Sequence, residues 1–219
     1  MLQNNQDFDL ITFIGQTYDM DISDQPWAAE LAEASVMRTY QPGQLITDIG
    51  DPNKDLQLLV SGAVRCFFLD YEGVVFTDCF LADKGYPLNS TCIDRPSECG
   101  LEALTVVTAA CIPTELLLPL LMREPGVMAL QNRMLDRALF FHWEQKVSRF
   151  RLSAMQRDLK FMRDYPGLEG RINSRYIADY IGIAPESLSR LRKMLRDNDN
   201  EDEIFVPEEV LLRQKLSCD

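Results

Sequence analysis

Histidine, paired cysteines and long apolar runs are scarce or absent in this 219-residue chain. Its one histidine is His142, and it has no clustered metal ligands, glycine-rich phosphate loop or nucleophile elbow, so the usual metal-dependent and hydrolytic chemistries lack their groups. The longest apolar run, residues 116–122, is far shorter than the roughly 20 residues that cross a bilayer. The N-terminus has neither the basic start nor the apolar core of a signal peptide. We therefore expect a cytoplasmic protein that is not an enzyme, without catalytic residues, metal, cofactor or membrane contact.

The six cysteines are scattered, without a C-x-x-C pair or a metal-ligand spacing: Cys66, Cys79, Cys92, Cys99, Cys111 and Cys218. In a cytosolic chain such cysteines are usually buried, reduced thiols. Cys92 and Cys99 leave an alternative open, because both fall in a polar, loop-like stretch where a redox-sensing pair would be accessible.

Positive charge is scarce overall but concentrated in one segment. The formal net charge is −12, yet residues 123–197 carry 15 Lys and Arg against 9 Asp and Glu. Residues 1–122 carry 5 against 18, and residues 198–219 carry 2 against 7. A basic segment between two acidic ones indicates a local anion-binding surface, with repulsion limiting nonspecific contact elsewhere. A solvated basic helix face would produce the same charge pattern.

Short apolar runs broken by turn residues extend from Val36 to Ile112 and predict β structure. The predicted strands are residues 56–60, 63–69, 74–81 and 104–112, and residues 70–73 have the composition of a hairpin tip. Several strands at this spacing predict a compact barrel or jelly roll. Apolar residues at helical spacing predict helices before it, over residues 7–18 and 26–36.

A long helix is predicted from Pro125 to Phe150, because proline suits a helix start and no later glycine or proline interrupts the segment after Gly126. Apolar residues recur along one line of this helix at heptad-like spacing. The residues predicted to form a dimer interface on that line are Leu130, Met134, Ala138 and Phe141. The same stripe is also typical of a helix that packs only within its own chain.

Residues 172–195 have the pattern of a helix-turn-helix. Asn173 or Ser174 can cap a first helix whose buried face is Ile177, Ala178 and Ile181, and Gly182 suits the tight turn. A second helix begins near residue 185, with three leucines facing inward and a polar outer face that can enter a major groove. Pairs of amphipathic helices joined at a glycine also occur in proteins that bind no DNA.

The polar face supplies the predicted DNA contacts. Arg190 can make a bidentate contact with guanine, and Glu186 can accept a hydrogen bond from cytosine N4. The remaining polar residues suit phosphates, which fix register without reading sequence. The full predicted set is Ser174, Glu186, Ser187, Ser189, Arg190, Arg192 and Lys193.

These motifs resemble those of the Crp/Fnr family of bacterial transcription regulators, in family order and over nearly the whole chain. The resemblance to the cyclic-nucleotide-binding-like β-roll lies in YQPGQLI (40–46), GDP (50–52), LVSGAVR (59–65) and DYEG (70–73). The resemblance to the helix-turn-helix lies in YIADYIGI (176–183) and PESLSRLR (185–192).

The resemblance implies an α+β fold in three parts. These are a β-roll sensor domain with flanking helices at 1–122, a dimerisation helix at 123–150, and a winged-helix-like DNA-binding domain at 151–219. It further implies a homodimer on palindromic promoter DNA, an effector of unknown identity, and RNA polymerase as a further candidate partner.

Two regions depart from the family pattern. Members that bind cyclic AMP hold it with a Gly-Glu-Leu run and an Arg-Ser pair, whereas this chain has Asn89-Ser90 and Ser97-Glu98 at those places. We name Gly85 with these four residues as the candidate effector pocket, and expect no affinity for cyclic AMP or cyclic GMP. The acidic residues 197–203 replace the usual turn of the wing and predict a reduced wing. The main alternative class is an enzyme with metal-dependent chemistry in the β-roll, which would need the clustered histidines and carboxylates that the sequence lacks. The second alternative, which the acidic tail leaves open, is a protein-interaction adaptor that has lost DNA binding.

Overall fold

The computed structural model describes residues 2–3, 8–82, 84–88 and 95–197. Predictions on Asn89, Ser90, Cys92, Cys218 and the reduced wing lie outside the described residues. The chain divides into two compact units, Met1–Val75 with Phe80–Ala138, and Phe76–Cys79 with Leu139–Asp219. The predicted division after residues 122 and 150 is a functional one and stays a prediction.

Two four-stranded sheets form the β region. The first contains, in spatial order, β1 (Leu2–Gln3), β2 (Val36–Tyr40), β8 (Val107–Pro113) and β4 (Asp55–Ser61). The second contains β3 (Leu45–Thr47), β7 (Gly100–Ala103), β5 (Val64–Leu69) and β6 (Val75–Leu81). Strand β8 pairs antiparallel with both β2 and β4, so that Cys111 lies opposite Val36 and Gln57. Together with the helices, the sheets confirm the predicted α+β class.

The core of the first unit lies between one face of the first sheet and a layer of helices. Period-two alternation in β4 directs Leu56 and Leu58 to this face. Three helices cover it: α1 (Leu10–Tyr18), α2 (Pro26–Ala34) and α3 (Thr114–Arg123). Burying each leucine contributes about 1.5–3 kcal/mol, so this layer fixes the sheet against its helices.

The second unit contains the end of α4 (Pro125–Arg151), then α5 (Ala154–Asp164), α6 (Ser174–Ile181) and α7 (Pro185–Asp197). Ser153 begins α5 with a capping box, since its hydroxyl accepts from the Gln156 N–H while the Gln156 side chain accepts from the Ser153 N–H. Phe161, Tyr165 and Tyr180 form an aromatic cluster between α5 and α6.

Helix α4 is apolar on two opposite faces. Leu130 and Met134 lie in the core of their own unit, with 3% and 1% of their surface exposed, whereas Ala138 and Phe141 are half-buried. For Leu130 and Met134 the core-helix alternative therefore holds, and neither side chain is available to a second copy. The opposite face exposes what we call the α4 stripe: Met128, Leu135, Leu139, Trp143 and Phe150.

Candidate nucleic-acid interface

The first helix of the predicted motif is α6, capped and buried as its sequence requires. The Asn173 side chain accepts a hydrogen bond from the Arg175 N–H at 2.9 Å, which satisfies one of the free amides at the helix start. Ile177, Ala178 and Ile181 are fully buried. The small side chain of Ala178 allows the neighbouring helix to approach closely.

The turn between α6 and α7 depends on Gly182. Its φ of 78° and ψ of 40° lie in the left-handed region, and its N–H donates to the carbonyls of Ala178 at 2.9 Å and Asp179 at 3.0 Å. The Ile183 N–H also donates to the Ala178 carbonyl, at 3.0 Å. These bonds satisfy carbonyls that a helix end leaves open, and they let the chain leave α6 abruptly.

Helix α7 presents a polar outer face. Leu188 and Leu195 are buried on its inner side, whereas Glu186, Ser189 and Arg190 are exposed together with Lys193. The Arg190 guanidinium contacts the Ser187 hydroxyl at 3.3 Å. In the described part of the chain, no ion pair joins Arg190 to Glu186, so both charges face outward separately.

Arg192 has a different role from the one predicted for it. Its guanidinium donates from Nε to Oδ2 of Asp158 at 2.9 Å and from Nη2 to Oδ1 at 2.7 Å. Asp158 is completely buried on α5, and these hydrogen bonds raise the pKa of Arg192 above its ordinary value. The pair fixes α7 on α5. Because Asp158 occupies the guanidinium, we no longer assign Arg192 to the phosphate contacts.

Exposed groups at the start of α6 extend the basic surface. Ser174, a predicted contact, is exposed there together with Arg171 and Arg175. Sequence reasoning did not single out the two arginines, although cations beside a capped helix start are a recognisable signal. A helix N-terminus with adjacent cations favours phosphate oxygens.

A hydrogen bond holds α6 against the buried face of α4. The Tyr180 hydroxyl donates to Oε1 of Gln145 at 2.7 Å. Burial raises the pKa of Tyr180 above its ordinary value, so this hydroxyl keeps its proton and remains a donor.

The described residues of the predicted effector pocket make structural hydrogen bonds or face solvent. The Gly85 N–H donates to the Leu59 carbonyl at 2.6 Å, and its carbonyl accepts from the Tyr18 hydroxyl. Ser97 is buried, and its hydroxyl donates to the Cys99 carbonyl at 2.8 Å. Glu98 is exposed. Their assignment to an effector stays a prediction.

Polar side chains within the β-sheets pair with one another. The Tyr40 hydroxyl donates to Oε1 of Gln57 at 2.8 Å, and Arg38 and Arg65 form ion pairs with Asp55 and Glu102 at 2.5 and 3.1 Å. Such pairing satisfies groups that would otherwise be costly to bury.

Three of the cysteines that the structure describes are buried, and the histidine is exposed. Cys66, Cys79 and Cys111 are buried thiols outside any disulfide, which confirms that part of the prediction, and Cys99 is half-buried. Burial raises the pKa of Cys111 to about 11, so its thiol is unreactive at neutral pH. His142 is exposed on α4.

Among the helices that the structure describes, none has the length and apolar character needed to cross a membrane.

Comparison with known proteins gives a likeness of fold. No family model and no curated protein sequence matches the chain. A protein from Eubacterium rectale described as a transcriptional regulator of the Crp/Fnr family is 21% identical, with a TM-score of 0.67 over 85% of this chain and 88% of its own. The regulator CLP of Xanthomonas campestris, described as responsive to c-di-GMP, is 18% identical, with a TM-score of 0.62 over 80% and 92%.

A third structure, FixK2 from Bradyrhizobium japonicum, is 20% identical, with a TM-score of 0.62 over 74% of this chain and 85% of its own. The three alignments cover 74%, 80% and 85% of this chain. The chain therefore has the fold of the Crp/Fnr regulators, as the motifs of its sequence predicted.

Proposed function

We propose that this chain is a transcription regulator of the Crp/Fnr type that binds double-stranded DNA through α7. The observation that supports the proposal most directly is the outer face of α7, where Glu186, Ser189, Arg190 and Lys193 are exposed together on a helix whose inner face is buried. A helix held in this way can enter a major groove without unfolding its support. The protein is then a cytoplasmic binding protein and not an enzyme.

Within this proposal the side chains divide by role. Arg190 donates two hydrogen bonds to guanine O6 and N7, and Glu186 accepts from cytosine N4 on the same helical face. Lys193, Ser187, Ser189 and Ser174 contact phosphates and set the register.

The charge pattern favours binding by α7 over binding elsewhere on the surface. Residues 1–122 are strongly acidic, so their surface repels phosphates, whereas the basic residues lie in the segment that contains the helix-turn-helix. DNA is thereby directed to one part of the chain.

The test is a binding measurement on genomic DNA fragments at two salt concentrations. We expect affinity to fall about 10³-fold between about 50 and 200 mM salt, because neutralising about six phosphates releases that many counterions. Absence of salt-sensitive binding would overturn the proposal and favour the adaptor alternative.

We further propose that the protein acts as a homodimer in which the α4 stripe of each copy packs against the other. Its five large apolar side chains are between 42% and 79% exposed, which is unusual along a single helix face of an isolated chain. A two-fold axis along α4 would pair the recognition helices about 34 Å apart, as a palindrome requires.

The proposed effector is a small molecule other than cyclic AMP, and the 1–122 segment is the proposed sensor. Ser97-Glu98 stands where an Arg-Ser pair would hold a cyclic phosphate, and an acidic side chain there repels it. Calorimetric titration with cyclic AMP or cyclic GMP should give no saturable heat in the micromolar range. A clear isotherm would reverse this assignment.

RNA polymerase remains a candidate partner of the DNA-bound protein.

A further inference from the structure

Arg157 on α5 connects the ends of two other helices. Its Nε donates to the Ile181 carbonyl at the end of α6 at 2.7 Å. Its Nη1 donates to the Leu152 carbonyl just after α4 at 2.6 Å, and lies 3.5 Å from the Arg149 carbonyl. The last carbonyls of a helix have no hydrogen-bond partner within the helix. The Arg157 guanidinium supplies that partner at the end of α6 and just after the end of α4.

The electrostatics of this contact favour an arginine. The carbonyl end of each helix carries a partial negative charge, and Arg157 lies where two such ends meet. Burial, with the nearby charge of Arg149, lowers the pKa of Arg157. An arginine nevertheless stays charged at neutral pH, and its planar fork reaches acceptors in two directions, which a lysine ammonium cannot match with fixed geometry.

A second contact acts in parallel. The bond from Tyr180 to Gln145 holds α6 on the buried face of α4, about one turn before Arg149 and about two turns before Leu152. Helix α7 follows α6 through the Gly182 turn and packs on it through buried side chains. The orientation of α7 relative to the second half of α4 therefore depends on these two contacts.

We propose that Arg157 is a positioning residue that sets the orientation of the recognition helix relative to α4. This inference rests on the proposed function, since in the proposed dimer α4 carries the two-fold axis. The angle between α4 and α7 then determines the separation of the two recognition helices, and hence which half-site spacing is bound.

The DNA test uses Arg157→Lys, with Arg163→Lys as a matched control on an exposed position of the same helix. Binding is measured on a palindrome selected with the native protein, on versions whose half-sites are moved apart or together by single base pairs, and on a single half-site. For Arg157→Lys we expect the palindrome to be bound about tenfold more weakly, as for loss of a charge-assisted hydrogen bond, with a broader spacing preference. Half-site affinity should stay within about twofold, and Arg163→Lys should behave as the native protein.

Two outcomes of the DNA test would overturn the inference. A native spacing preference in Arg157→Lys would show that the guanidinium does not set the orientation. Equal losses on the palindrome and the half-site would show that it only supports the fold of the helix-turn-helix.

A DNA-free measurement separates this inference from the proposed function. Genetically encoded spin labels at Lys146 and Lys193 report the distance between α4 and α7. The doubly labelled protein is mixed with excess unlabelled protein, so that each measured distance lies within one subunit. The distance distribution should broaden in Arg157→Lys and, to a smaller extent, in Tyr180→Phe, but not in Arg163→Lys. Failure of the native protein to bind DNA would overturn the proposed function alone. Unchanged distance distributions in both Arg157→Lys and Tyr180→Phe would overturn the positioning role.

Discussion

Arg190 and Lys193 lie one turn apart on the exposed face of α7, and they should affect binding in different ways. Arg190→Ala is expected to cost about 1–3 kcal/mol of binding free energy and to relax the preference at one base pair per half-site, because a bidentate guanine contact is lost. Selection on randomised half-sites measures both effects.

Lys193→Ala should change DNA binding in a different way from Arg190→Ala. A phosphate contact carries no sequence information, so its loss should weaken binding to every sequence alike and reduce the salt slope by about 1 per lost contact. If both variants gave the same change across the half-site library, Arg190 would read no base, and the helix-turn-helix would owe its specificity to other residues.

Arg192 shows where residue-level prediction succeeds and fails. A basic residue between Arg190 and Lys193 was grouped with them, yet it follows Leu188 by four residues and precedes Leu195 by three, a spacing that places it on the inner face. That position was readable from the sequence. Its partner Asp158 was not, because it lies 34 residues earlier and no local pattern connects the two.

At the scale of elements, the Asp158–Arg192 pair joins α5 to α7. Asp158→Ala leaves a largely buried guanidinium without its carboxylate, so we expect a loss of about 3 kcal/mol in the free energy of unfolding, near the lower end of values for broken buried pairs. Urea unfolding followed by circular dichroism measures it. The lower end is appropriate because 23% of the Arg192 side chain is exposed.

The control replaces both partners with apolar residues of similar size. The double variant Asp158→Leu, Arg192→Met should recover most of the stability, since neither charge then remains buried. DNA affinity of that double variant should also stay near the native value if Arg192 contacts no phosphate. A large loss of affinity in a fully folded double variant would return Arg192 to the set of DNA contacts.

The elements themselves followed largely from local pattern. Short apolar runs between turn residues predicted β4, β5, β6 and β8, and Pro125 marked the start of α4. The run over residues 104–112 was predicted as one strand, whereas β8 begins at Val107 and β7 lies before it. The sequence pattern does not show which face of α4 is buried, because the helix has apolar residues on two opposite faces. Only tertiary packing decides which of them enters the core.

At the scale of the whole molecule, local sequence pattern does not specify which distant strands pair. Pairing of β8 with β2 and β4 brings together residues about 50 to 75 positions apart, which no local periodicity specifies. One boundary between the residues of the two compact units falls between Ala138 and Leu139, inside an uninterrupted helix where composition offers no boundary signal.

Assembly of the proposed dimer depends on which face of α4 is free to contact a second copy. In the proposed dimer Leu139 lies near the middle of the α4 stripe, and it is 59% exposed in the single chain. Leu139→Glu should weaken dimerisation by at least about 100-fold, because two unpaired carboxylates would enter an apolar interface at a cost of roughly 3 kcal/mol or more. Sedimentation at micromolar concentration should then show a folded monomer.

Two comparison variants make that outcome specific. Met122→Glu, at an 87% exposed position on α3 outside the stripe, should leave the dimer intact, because it adds a charge without touching α4. Met134→Ala should instead lower the stability of the fold by about 2–5 kcal/mol, since it opens a cavity in the core of a single chain. If Leu139→Glu remained a native-strength dimer while Met134→Ala dissociated without loss of stability, the interface would lie on the line from Leu130 to Phe141. That result would conflict with the burial of Met134, which is why the pair of variants discriminates between the two faces.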